Sequence, residues 1–158
     1  QAQKIDLQAS EVAFSISNMK LNTVEGSFGN FSGEGILDSE KPKSSKLSLC
    51  VAVASINTAI DKRDEHLKQA EFFHAEQYPL ICFESEQMSY DVASKNWQVS
   101  GNLRIKDQAQ KLKVVLYPTE KGYQTQFKIK RLDFKVGEDF STFLAGNEVE
   151  IKVLLATP

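Results

Sequence analysis

Arg63-Asp64-Glu65-His66 is the densest run of side chains that could do acid–base or metal chemistry. A zinc site would need a second ligand on the same face, as in His-Glu-x-x-His or paired Cys-x-x-Cys, and neither spacing occurs. His74 lies eight positions further on, beyond the regular stretch. The run reads instead as the start of a helix, with acids near its positive end and an Arg–carboxylate pair. Nucleophilic catalysis has less to work with. There is no Gly-x-Ser-x-Gly elbow, and no histidine stands near Cys50 or Cys82 to lower a thiol pKa. Glu84/Glu86 and Glu148/Glu150 are spaced i, i+2, which on a strand puts both acids on one face, where solvated charge is the ordinary use. A glycosidase pair could still be assembled in three dimensions. The glycine-dense stretch Gly26 to Gly35 lacks the P-loop Lys and the following helix that a phosphate cradle requires. It reads as a bend or bulge that curls a sheet. These residues lead us to expect no catalytic site, no metal and no catalytic cofactor.

The elements that would position such residues are strands. Val12, Phe14 and Ile16 alternate with Ala13, Ser15 and Ser17, and Leu47, Leu49, Val51 and Val53 with Ser48, Cys50 and Ala52. The same period of two recurs at Ile81/Phe83, at Trp97 to Ile105, at Leu112 to Leu116, at Tyr123 to Ile129 and at Val149 to Leu155. Each segment therefore has one apolar and one mostly polar face, the pattern of an antiparallel sheet wet on one side. Lys41 to Ser44, Asp91 to Lys95 and Glu120 to Gly122 read as hairpin connections. Asp61 to Phe73 breaks the pattern as a helical crossover, with Asp61 as its cap and Tyr78-Pro79 ending the segment. About eight strands close most economically into a barrel, which leaves no exposed edge. The expected fold is all-β, an antiparallel eight-stranded lipocalin-like barrel with one short helical crossover, formed by residues 1–158 as one domain.

Composition narrows the partners. The chain has 158 residues and a net charge of −2, and no basic run exceeds two residues, so the footprint of a nucleic-acid binder is missing. No apolar stretch reaches the roughly 20 residues of a transmembrane helix, and Gln1–Gln8 has no signal-peptide character. The oligomeric state is not fixed by any of this, and a homodimer stays open. The inward faces hold Val12, Phe14, Phe28, Leu49, Val51, Ile81, Phe83, Leu103, Ile105, Phe127, Ile129, Ile151 and Val153. Periodicity alone favours a plain packed core here, although a small barrel can also leave room for one ligand.

Ser55-Ile56-Asn57-Thr58, Arg63 to Lys68, Phe72-Phe73 and Tyr78-Pro79-Leu80-Ile81-Cys82-Phe83-Glu84-Ser85 together resemble the signature of the YceI-like family. Ile5-Asp6, Ser10-x-Val12-x-Phe14, Val24-x-Gly26-x-Phe28-x-x-Phe31-x-Gly33, Val99-x-Gly101-x-Leu103-x-Ile105 and Arg131-x-Asp133-Phe134 resemble its flanking landmarks. The chain departs from the family pattern at Ala9, at Leu103 to Ala109, and at Lys135.

The resemblance implies a lumen filled by a polyisoprenoid tail in place of a packed core. It implies an isoprenoid lipid partner, such as ubiquinone-8 or octaprenyl phosphate or pyrophosphate, bound for transport, storage or sensing. Phe28, Phe31, Phe72, Phe73 and Phe83 are the aromatic candidates for tail contacts, beside the inward aliphatic residues above. Arg63 and Arg131 are candidates for orienting a quinone or phosphate head, against the simpler reading of ion pairs with Asp64 and Asp133. Burying about 40 carbons at roughly 0.8 kcal/mol each gives a gross drive of tens of kcal/mol. Most of that is offset, because measured affinities saturate near −18 to −21 kcal/mol. A periplasmic or secreted location is implied too, and it would permit a disulfide between Cys50 and Cys82. The alternatives are an extracellular carbohydrate- or partner-binding module, for which one Trp and four Tyr are thin material, and a barrel-fold enzyme.

Overall fold

The computed structural model describes residues 2–17, 22–142 and 145–158. Ten strands follow in chain order: β1 (Ala2–Lys4), β2 (Asp6–Ser17), β3 (Thr23–Phe28), β4 (Ser32–Asp38), β5 (Lys46–Ala52), β6 (Leu80–Tyr90), β7 (Trp97–Ile105), β8 (Gln108–Thr119), β9 (Gly122–Lys130) and β10 (Glu148–Ala156). Among the described residues there is one α-helix, α1 (Asp61–Leu67), between β5 and β6. Every pairing is antiparallel, and the spatial order is β1-β4-β5-β6-β7-β8-β9-β10-β2-β3.

The all-β antiparallel expectation holds, but eight strands closed into a barrel does not describe the sheet. There are ten strands, and the order is open, a half-barrel ending on β1 and β3. The extra strands arise from two breaks. Ile5 alone separates β1 from β2, and residues 29–31 separate β3 from β4. At each break the chain changes partner: β1 pairs with β4 while β2 pairs with β3 and β10. The second break falls in the glycine-dense stretch. Gly33 sits at φ 103°, and a Cβ there would lie 2.0 Å from the Ser48 carbonyl oxygen, so only glycine allows β4 to approach β5 this closely.

α1 is shorter than expected. Asp61 is the first helical residue, Ile60 precedes it, and no side chain caps the end. The helix stops at Leu67 because a longer one would misplace the aromatics. At 100° per residue, Phe72 would stand about 140° round from Leu67 and miss its stripe. The chain unwinds into successive turns, and the Phe73 amide donates to the Leu67 carbonyl at 3.0 Å. Leu67, Phe72 and Phe73 then all face the concave side of the sheet.

Candidate functional site

The inward faces enclose a cavity of about 250 Å³, partly open to solvent. Alternation within each strand builds it. In β5, Leu47, Leu49 and Val51 are buried while Ser48, Cys50 and Ala52 between them are not. β7 repeats this with Leu103 and Ile105, while β9 contributes half-buried Phe127 and Ile129, and β10 half-buried Ile151 and Val153, to the same lining. The structure places all of Val12, Phe14, Phe28, Phe31, Leu49, Val51, Phe72, Phe73, Ile81, Phe83, Leu103, Ile105, Phe127, Ile129, Ile151 and Val153 around this one cavity. Apart from the two cysteines, Thr125 and Arg131 are the only lining residues with polar side chains among the described residues.

The packed core and the hollow coexist at different depths. At the end of the sheet away from α1, Ile5, Leu37, Leu47, Leu49, Trp97, Val99, Leu116 and Leu155 form one buried cluster. Trp97 is fully buried there, and Ile5, Leu37, Trp97 and Val99 do not reach the cavity. They form a floor. Toward α1, phenylalanines replace the filler. The Phe28 ring stands 5.5 Å from Phe14 and 5.7 Å, edge-on, from Phe73. Sequence reasoning about the lining had passed over Ile56, Phe134, Val136 and Ala145, which come from loops where no period of two marks them. It had read the strand residues Ile16, Leu47, Leu112, Val114, Leu116, Val149 and Leu155 as parts of alternating runs without assigning them to the site.

The loop residues 131–142 and 145–147 cover the α1 end. The Gly137 amide donates to the Glu71 carbonyl at 3.0 Å, and the Phe140 ring meets Phe72 at 4.6 Å. Arg131 holds this loop. Its Nε donates to Gly146 O, Nη1 to Val136 O and Gly137 O, and Nη2 to Phe140 O and Ala145 O, at 2.6–3.0 Å. A guanidinium has five N–H groups, and all five are used. Burial pushes its pKa below the ordinary arginine value. The expected pair with Asp133 is replaced by these carbonyls, and no N–H remains in this conformation for a lipid head.

Arg63 is outside the cavity lining. Its Nε donates to Thr58 Oγ1 at 2.8 Å and its Nη2 to Thr58 O at 2.7 Å. Asp64, itself buried, accepts from the Thr58 amide at 2.9 Å and from Thr58 Oγ1 at 2.5 Å. The expected Arg63–Asp64 pair is thus a clamp of both residues on Thr58. Its effect is to pin the segment that carries Ile56 to the start of α1.

The remaining candidates disperse. His66 Nε2 lies 2.5 Å from Glu71 Oε1 on an exposed face, whereas His74 packs edge-on against Tyr78. Among the described residues, no three His, Cys, Asp or Glu side chains come together as a metal site would need. Glu84 accepts from Ser48, Glu86 from Lys111 and Asn102, Glu148 pairs with Lys128, and Glu150 accepts from Gln126. Cys50 and Cys82 are direct partners in the β5–β6 ladder and are joined by a disulfide.

Such an arrangement can hold an apolar chain away from water and offers little to anything polar. No helix among the described residues is long and apolar enough to cross a membrane. Residues 3–157 match the YceI-like domain family. A UPF0312 protein of Pectobacterium carotovorum is 25% identical over 150 residues, covering 89% of this chain and 76% of its own length. Among solved structures, BcnA of Burkholderia cenocepacia superposes with a TM-score of 0.83 at 26% identity, over 94% of this chain and 96% of its own. A polyisoprenoid-binding domain from Saccharophagus degradans shares the fold with a TM-score of 0.72 at 16% identity, over 99% and 98% of the two chains.

Proposed function

Starting from the YceI-like family, to which this chain belongs, we propose that the cavity binds the tail of a polyisoprenoid lipid, and that the protein carries, stores or senses that lipid without chemically changing it. The observation that carries this reading is the lumen itself. A cavity of about 250 Å³ lined by apolar strand faces, with Thr125 and a hydrogen-bond-saturated Arg131 as its polar side chains besides the cysteines, fits a hydrocarbon chain. A sugar in the same place would bury hydroxyls without partners, at a cost of about 1–3 kcal/mol each. The polyisoprenoid-binding domain of like fold supports the choice of an isoprenoid over a straight acyl chain. Octaprenyl phosphate, octaprenyl pyrophosphate and ubiquinone-8 are the ligands we put first. The Cys50–Cys82 disulfide supports a periplasmic or secreted location.

Phe83 tests the reading, because it lines the cavity and packs against the clusters at both of its depths. An unpaired carboxylate there costs several kcal/mol in an apolar setting, so Phe83→Asp should weaken tail binding by at least about a hundredfold. Gln98→Asp, at an exposed position of β7, serves as the control. Equal retention of polyprenyl lipid by both variants, with both folded by circular dichroism, would refute the lumen assignment.

A further inference from the structure

The wall of the cavity has a seam. β7 and β8 pair continuously from Trp97↔Leu116 to Ile105↔Gln108, and β9 pairs with β10 along its whole length. β8 and β9, in contrast, pair only at Tyr117↔Gln124, Pro118↔Tyr123 and Thr119↔Gly122. Beyond these three pairs the strands part, and residues 108–116 and 125–130 have no ladder partner on their facing edges among the described residues. A second cavity, of about 260 Å³, lies in this region and shares Leu103, Leu112, Ile129 and Phe134 with the lumen.

The residues on either side explain why the seam is open. Continued in the register of its three pairs, the ladder would set Leu112 against Ile129 and Val114 against Phe127 on the inner face. On the outer face it would set Lys111 against Lys130 and Lys113 against Lys128. Like charges directly opposite destabilise a strand pair, and two such pairs in succession oppose closure. Lys111 and Lys128 have partners in Glu86 at 2.8 Å and Glu148 at 3.4 Å. Lys113 and Lys130 form no ion pair among the described residues. Asp133 and Glu148 also line the second cavity. The slot is thus apolar toward the lumen and charged toward solvent, where Lys111, Lys128 and Lys130 line it, and Lys113 stands just outside that lining on the same face of β8.

We propose that this seam is a lateral portal for an amphipathic lipid bearing a phosphomonoester head. The chain enters the lumen between Leu112 and Ile129, and the phosphate stays outside, held by Lys113 and Lys130. This rests on the lumen being a lipid site, as argued above. It also supplies the head-binding groups that Arg63 and Arg131, engaged elsewhere, do not.

The test is calorimetric titration of the delipidated protein with farnesyl phosphate, with farnesol and with inorganic phosphate. The wild type should prefer farnesyl phosphate to farnesol by about tenfold or more at low salt, since two charge-assisted contacts distinguish them. Lys113→Gln with Lys130→Gln should remove that preference and leave farnesol affinity within about twofold, as both side chains lie outside the lumen. A preference that survives the double substitution overturns the portal while the lumen reading stands. Inorganic phosphate binding as tightly as farnesyl phosphate, with the same lysine dependence, makes the seam a free-anion site and also overturns it. Failure of the wild type to bind farnesol refutes the lumen reading first, and the portal with it.

Discussion

Replacing Arg131 by Met would remove the group that organises the loop over the cavity. Arg131 is 6% exposed, and its five N–H groups serve five backbone carbonyls between Val136 and Gly146. Met keeps much of the side-chain volume but donates nothing, so five carbonyls lose their partner at once. Some would be reached by water, as Phe140 and Ala145 are only partly buried. A buried acceptor left unsatisfied costs about 1–3 kcal/mol, so two or three such carbonyls put the loss at roughly 3–5 kcal/mol. Against a total stability of about 5–15 kcal/mol, that is a large fraction. Arg131→Lys, with three donors on a flexible stem, should recover part of the loss. Urea unfolding followed by circular dichroism measures both variants. Amide exchange at Gly137, whose N–H bonds to Glu71 O, reports whether the loop has let go. A loss below about 1 kcal/mol for Arg131→Met would refute the argument that this guanidinium holds the loop.

Two further outcomes follow from the wall of the cavity. Replacing Cys50 and Cys82 by Ser opens a link across a sequence separation of 32, and loop-closure entropy sets the cost at up to about 3–4 kcal/mol, read as a lowered denaturation midpoint. On the outer surface, the hydrogen bond and charge of Lys111 hold the Glu86 carboxyl below its ordinary value of 4.5. A depressed carboxylate stabilises the fold fully above its unfolded pKa and loses that contribution as pH falls through the lower, folded value. Lys111→Met should therefore move the Glu86 titration, followed by carboxyl NMR, back up toward 4.5.

The strand content of this fold was legible because burial on one face of a sheet writes a period of two into the chain. Val12/Phe14, Leu49/Val51 and Leu103/Ile105 could be placed on one concave surface from that period alone. Whether the surface was filled or hollow could not, since a lumen and a core need the same apolar residues. Trp97 and Leu49 look alike by alternation, yet Trp97 belongs to the floor and Leu49 lines the cavity. The breaks at Ile5 and at residues 29–31 were half visible. Glycine density marked the second, whereas nothing about Ile5 as a residue type announces a change of strand partner. Charge pairing misled for a different reason. Arg63 and Arg131 each had an acid close by in sequence, but buried carbonyls and Thr58 satisfied them first, and backbone acceptors carry no sequence signal. The helix was overextended because the composition of residues 68–73 favours helix, while the demand that Phe72 and Phe73 reach the lumen is a tertiary one that overrides it.

The central claim is that the lumen holds a long isoprenoid chain, and mass spectrometry of an organic extract of the purified, folded protein tests it most directly. A buried tail of this kind leaves slowly and should survive purification. The account predicts a polyprenyl lipid at close to one per chain, its head naming the ligand. A clean extract, with a denaturation midpoint unmoved by added ubiquinone or polyprenyl phosphate, would contradict it.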